Sequence, residues 1–217
     1  MRRRLLAGLA LGVMLMLSGC ATVSVHSDVA GDSSISEYRI DVNTTTTVYS
    51  LLNDRAESAG YENFSSQLRA GINESNAESV TVDSAIEGEQ VQFTLVATGY
   101  DPVSNENLNV TTEDGTLVYS DTTFYNASQS TDFDAGVGSD LEMRYTVEMP
   151  NDVDTARGAD SVNGSEATYS ASGPDAFSET QVYVTSEASA VPVPGFGVTV
   201  AVVAVLGAAL LLRRGRN

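Results

Sequence analysis

The chain has 217 residues and, with 29 acidic against 11 basic side chains, a formal net charge of −18; every basic residue is Arg. The basic residues crowd the two ends, so the stretch between them sets only Arg39, Arg55, Arg69, Arg144 and Arg157 against all 29 acids, a field that repels nucleic acid and other polyanions. The single thiol, Cys20, excludes an internal disulfide and leaves one apolar core to hold a segment of ordinary domain size.

Residues 1–19 read as a signal peptide: Arg2, Arg3 and Arg4, then an apolar run over 5–17, then small residues at a cleavage point. Leu17-Ser18-Gly19-Cys20 resembles the lipobox of bacterial and archaeal lipoproteins. The resemblance implies that the Cys20 thiol takes a lipid and that Cys20 becomes the new N-terminus. Arg2-Arg3-Arg4-Leu5-Leu6 loosely resembles a twin-arginine export signal without its preceding Ser or Thr.

Residues 20–185 read as one extracytoplasmic α+β domain, mainly an antiparallel sheet of about seven to nine strands with one helical stretch packed on it. Residues 22–42 predict a hairpin turning at Ala30-Gly31-Asp32. Over 46–72 the period changes to three or four, with Val48, Leu51, Leu52, Phe64, Leu68 and Ile72 on one stripe and Gly60 as a break between two helices. Strands are expected next at 79–82, 90–97, 108–112 and 116–124, the last two joined by Glu113-Asp114-Gly115. Leu141, Met143, Tyr145, Val147 and Met149 alternate with polar residues, the cleanest half-buried strand in the chain, and Pro150 ends it. Strands at 155–162, 167–171 and 180–186 follow, with Asn163-Gly164 as a tight turn.

A short linker is expected at 186–195, then a transmembrane helix or sorting-signal tail at 196–212, whose seventeen uncharged residues are just long enough to span a bilayer. Arg213, Arg214 and Arg216 mark 213–217 as a cytoplasmic basic tail. Pro194-Gly195-Phe196 resembles the PGF sorting signal of archaeal surface proteins, which implies that an archaeosortase removes the tail and a lipid replaces it. The alternative is a helix that stays as the anchor. Either way the domain faces outward, and the partners expected first are the membrane and an envelope lipid or surface protein. The acidic, Lys-free composition resembles that of proteins from extremely halophilic archaea.

Catalytic groups are scarce. There is no Lys, Cys20 is committed to lipid, and the one His, His26, lies six residues from it and reads as an exposed strand residue. The acidic run 132–140 offers alternate carboxylates beside Gly, but Gly136, Val137 and Met143 stand where a calcium loop needs a ligand, a turn Gly and a bidentate Glu, so a flexible acidic turn is expected and no metal. No enzyme activity and no cofactor are predicted. Asn43, Asn63, Asn73, Asn109, Asn126 and Asn163 each open an Asn-x-Ser/Thr triplet, more than composition alone provides, and mark candidate glycosylation sites.

The order lipobox, hairpin, helical stretch, antiparallel sheet and C-terminal apolar segment resembles the LppM-type envelope lipoproteins. The local pattern that carries it is Met149-Pro150-Asn151-Asp152-Val153 followed by the 160–169 stretch with Asn163-Gly164, where Tyr169 stands in place of the family's Trp. The resemblance implies an envelope module able to contact lipid. Two roles follow from the sequence: a non-catalytic binding module, or a glycosylated structural or adhesin protein of the cell surface.

Overall fold

A computed structural model describes residues 21–72, 74–102, 105–128, 141–173 and 175–189. The signal peptide, Cys20, Asn73, the acidic run 132–140 and the tail with Pro194, Gly195 and Phe196 lie outside these residues.

Among the described residues there are eleven strands, more than the seven to nine expected, and they form two sheets where one was expected. The strands are β1 (Ala21–Val29), β2 (Ile35–Thr45), β3 (Ser79–Glu87), β4 (Gln90–Tyr100), β5 (Leu108–Glu113), β6 (Thr116–Asp121), β7 (Leu141–Glu148), β8 (Val153–Ala156), β9 (Ser161–Asn163), β10 (Glu166–Ser172) and β11 (Val182–Glu187). The larger sheet has the order β3-β4-β2-β1-β7-β10-β9 and the smaller β5-β6-β11-β8. All neighbours are antiparallel except β1 and β7, which run parallel with Val25 beside Tyr145. The segment expected as one strand at 155–162 is two strands in different sheets, because Gly158 at φ +74° turns the chain between them. Ser186 and Glu187, expected at the start of the linker, are strand residues paired with Leu117 and Thr116.

The helical stretch splits as its sequence suggests. Helix α1 (Thr46–Ser58) buries Val48, Leu52 and Ala56, spaced four apart along one face. Gly60 leaves it at φ +88°, a conformation that costs glycine little. Helix α2 (Phe64–Gly71) starts at Asn63, whose side-chain oxygen accepts from Ser66 N at 2.8 Å and satisfies a first-turn donor. Two shorter helices were not anticipated: α3 (Thr123–Ser128) and α4 (Ala176–Glu179). The β5–β6 connection places Asp114 at φ 50° and Gly115 at φ 82°, the two positive values of a tight hairpin turn that matches strand twist.

One face of the larger sheet makes the core. Val23, Val25 and Val29 of β1, Phe93 and Leu95 of β4, and Leu141, Met143, Tyr145 and Val147 of β7 are buried there. Over β4, Tyr49 of α1 and Phe64 of α2 set their rings 5.1 and 5.2 Å from that of Phe93. Over β7, Phe124 of α3 stands edge-on to Tyr145 and stacks at 5.4 Å on Phe177 of α4. Burying an aromatic ring of this size stabilises the fold by about 2–3 kcal/mol, so these pairs fix the helices on the sheet. The smaller sheet packs on the same face through Leu117, Tyr119, Val182 and Val184. The opposite face of the larger sheet stays open and polar.

Candidate functional site

The open face is ordered by strand register. Reading across β2, β1 and β7, Thr22 lies between Asn43 and Glu142, Ser24 between Asp41 and Arg144, His26 between Arg39 and Thr146, and Asp28 between Glu37 and Glu148. Strand β10 extends these rows with Ser172, Ser170, Thr168 and Glu166. Residues directly opposite on neighbouring strands have side chains on the same side, so each row is a set of touching neighbours. His26 is half-buried in the middle of this face, flanked by Arg39 and Thr146 rather than by a second imidazole or a thiol.

At the N-terminal end of β1 the first two rows border a groove of about 480 Å³ lined by Thr22, Ser24, Glu142, Arg144, Ser170, Ser172 and Glu179, with Met143 and Ala171. Its chemistry is four hydroxyls, one guanidinium and two carboxylates. Among the described residues Arg144 makes no ion pair, whereas Arg39 is bonded to Glu37 at 3.0 Å and Arg69 to Glu74. A free guanidinium among hydroxyls can hold a phosphate, carboxylate or sugar oxygen through two parallel N–H donors, and the carboxylates can accept from hydroxyl or ammonium groups. The groove is polar and lies on the outside, whereas the side of the sheet that faces the helices and the second sheet carries the buried core.

A second polar cluster is internal, and sequence reasoning missed it. Asp121, at the end of β6, is 2 % exposed. Its Oδ2 accepts from Tyr145 Oη at 2.6 Å and Tyr38 Oη at 3.5 Å, and its Oδ1 from Thr123 N at 2.7 Å. Tyr119 and Tyr145 share a hydroxyl hydrogen bond, and Ser27 is fully buried beside Tyr119. Burial pushes the Asp121 carboxyl above its ordinary range, against the lowering effect of these donors. Burial and the charge of Asp121 push Tyr38, Tyr119 and Tyr145 well above theirs. Tyr169 is pushed up to about 12 by burial and donates to Tyr183 O at 3.0 Å, joining the two sheets a second time. The signal for Asp121 was present in the spacing, since Leu117, Tyr119 and Asp121 share one face of an alternating strand.

The candidate glycosylation sites divide. Asn43, Asn109, Asn126 and Asn163 are exposed, and Asn63 is half-buried as the cap of α2 with its Nδ2 end free of that bond. Asn126 Nδ2 donates to Asn107 Oδ1 at 2.7 Å and to Thr122 Oγ1 at 2.9 Å, so a glycan there would replace two hydrogen bonds. Among the described residues these asparagines lie on separate elements: β2, the cap of α2, β5, α3 and β9.

Residues 193–215 match the PGF-CTERM motif. The folded domain of LppM from Mycobacterium tuberculosis, solved by NMR, superposes with a TM-score of 0.51 at 11% identity, over 80% of this chain and 93% of that one, so the two share a fold. The motif marks the chain as a C-terminally anchored protein of an archaeal cell surface, and its domain has the LppM fold. Over 217 residues it is 33% identical to an "uncharacterized protein" of Archaeoglobus fulgidus, covering 99% of this chain and 97% of that one, and it belongs to the same family.

Proposed function

We propose that the protein is a double-anchored surface lipoprotein: a signal peptide is cleaved before Cys20, Cys20 carries lipid, and the tail from Pro194-Gly195-Phe196 onward holds or is exchanged for the second anchor. The domain between them is a non-catalytic binding module, and its groove at Arg144 takes the polar headgroup of an envelope lipid. One observation carries this reading. The groove begins at Thr22, two residues and about 7 Å of extended chain from Cys20, which is the depth of a headgroup layer beside a lipidated thiol. The chemistry supports it: Arg144 suits a phosphate, and Thr22, Ser24, Ser170 and Ser172 suit hydroxyls. The scarcity of nucleophile and base pairs supports binding over catalysis.

Native mass spectrometry of the detergent-extracted full chain tests this. Wild type is expected to retain lipid in addition to the covalent adduct, and Arg144→Ala to lose it. Lipid absent from repeated wild-type preparations would overturn the headgroup reading.

A second reading, a glycosylated structural or adhesin protein, is favoured by the exposure of Asn43, Asn109, Asn126 and Asn163. It expects glycan mass on several of these sites and loss of cell contact on deletion, with envelope lipid unchanged. Unmodified asparagines in the native protein would count against it.

A further inference from the structure

The described chain leaves the domain at opposite ends of one strand. At one end Ala21 opens β1, a single peptide step of about 3.8 Å from Cys20. At the other, the segment after β11 packs against the turn that follows β1: a Cβ built on Gly31 would come within 2.7 Å of Ser189 Cβ. Asn151 Nδ2 donates to Glu187 O at 2.9 Å and to Ser189 Oγ at 3.2 Å, and Ala188 N donates to Gly115 O at 2.8 Å. Three separate turns thus pin the C-terminal exit beside Gly31. At roughly 3.3 Å per residue, β1 and the start of its turn put about 30 Å between the two exits.

Chain length then limits how the domain can stand. From Ser189 to Phe196, where the apolar tail begins, there are seven residues of chain. Fully stretched they reach about 25 Å, and a Pro-rich linker of this length, at about 3.1 Å per residue, spans about 22 Å. A domain standing upright on Cys20 would carry Ser189 about 30 Å above the bilayer, beyond either reach. The same limit applies whether the tail remains as a helix or is exchanged for a lipid close to Phe196. We propose that the domain lies along the membrane surface, tethered from both ends of β1, so that the 30–34 turn and the Thr22 groove are both held near the headgroups. This rests on the double anchoring proposed above.

The test uses the full chain, purified from host membranes and reconstituted in phosphatidylglycerol and phosphatidylcholine vesicles that contain an acceptor-labelled lipid. Single donor labels are placed at Ser36→Cys, exposed beside the far turn, or Asn43→Cys, exposed and paired in register with Thr22. Both labels should transfer energy to the lipid with similar efficiency. Truncation after Ser189 should lower transfer from position 36 severalfold and leave position 43 unchanged. Transfer from position 36 that is already as weak in the full chain as in the truncated one would overturn the lying pose while leaving N-terminal anchoring intact. Weak transfer from both positions, with protein recovered free of vesicles, would overturn the anchoring and the pose together.

Discussion

Tyr145 donates to Asp121 at 2.6 Å, and that bond ties β7 of the larger sheet to β6 of the smaller one at the centre of the core. A buried carboxylate is stabilised by its donors yet penalised by lost hydration, and here burial dominates, since the carboxyl sits above its ordinary range. The folded value lies above the unfolded 3.8, so the contribution of Asp121 is complete below that pH and is lost as pH rises through the folded value. Asp121→Asn keeps an acceptor for Thr123 N and removes the charge. Its melting temperature relative to wild type should therefore increase from pH 4 to pH 7. A wild type that gains on the variant over that range would show that the hydrogen bonds, not burial, set the balance.

Phe93 is 1 % exposed and carries the rings of both Tyr49 and Phe64. Phe93→Ala should cost about 3–5 kcal/mol in guanidinium unfolding, the range for deleting a buried aromatic. Ile86, on the edge strand and 57% exposed, should change stability by less than about 0.5 kcal/mol when cut to Ala. Equal losses at the two positions would contradict the assignment of the core.

Glu37, Asp28, Glu148 and Glu166 form one row of carboxylates across β2, β1, β7 and β10 on the open face. Like charges directly opposite one another destabilise a sheet, and the repulsion fades as the Debye length falls from about 10 Å at 0.1 M to about 3 Å at 1 M. Circular dichroism melts should rise with salt from 0.1 M to 3 M. Glu148→Gln should raise the low-salt value and flatten the dependence. A melting temperature that stays level or falls with salt would reject self-repulsion as a limit on the fold.

How far the sequence reveals this fold depends on the range of the interaction. Strand β7 was legible because Leu141 to Val147 alternate with Glu142, Arg144 and Thr146, and burial follows that alternation residue by residue. The break between α1 and α2 was legible because Gly60 acts locally, whereas the Asn63 cap emerged only in the structure. The division into two sheets was not, since alternation tells which face of a strand is buried and nothing about its neighbour. The parallel pairing of β1 with β7 joins residues about 120 apart in sequence, and no local signal encodes it. The 155–162 segment was misread for a different reason: Gly158 is a lone Gly, which inside a strand pattern fits a bulge as well as a turn. Asp121 was hidden among 29 acids, and only its inward position on β6 distinguishes it. The groove was missed because Thr22, Ser24, Arg144 and Ser170 come from three strands, each looking like an ordinary solvated face.

The place of the groove near headgroups and the limit on the domain's pose both start from covalent lipid at Cys20. Intact mass of the native protein and of Cys20→Ser, with detergent partitioning of each, measures it directly. The wild type should begin at Cys20, carry the mass of a lipid and enter the detergent phase, while Cys20→Ser should lack that mass. A wild type whose mass equals that of the bare polypeptide, at whatever N-terminus it shows, would contradict the lipoprotein reading.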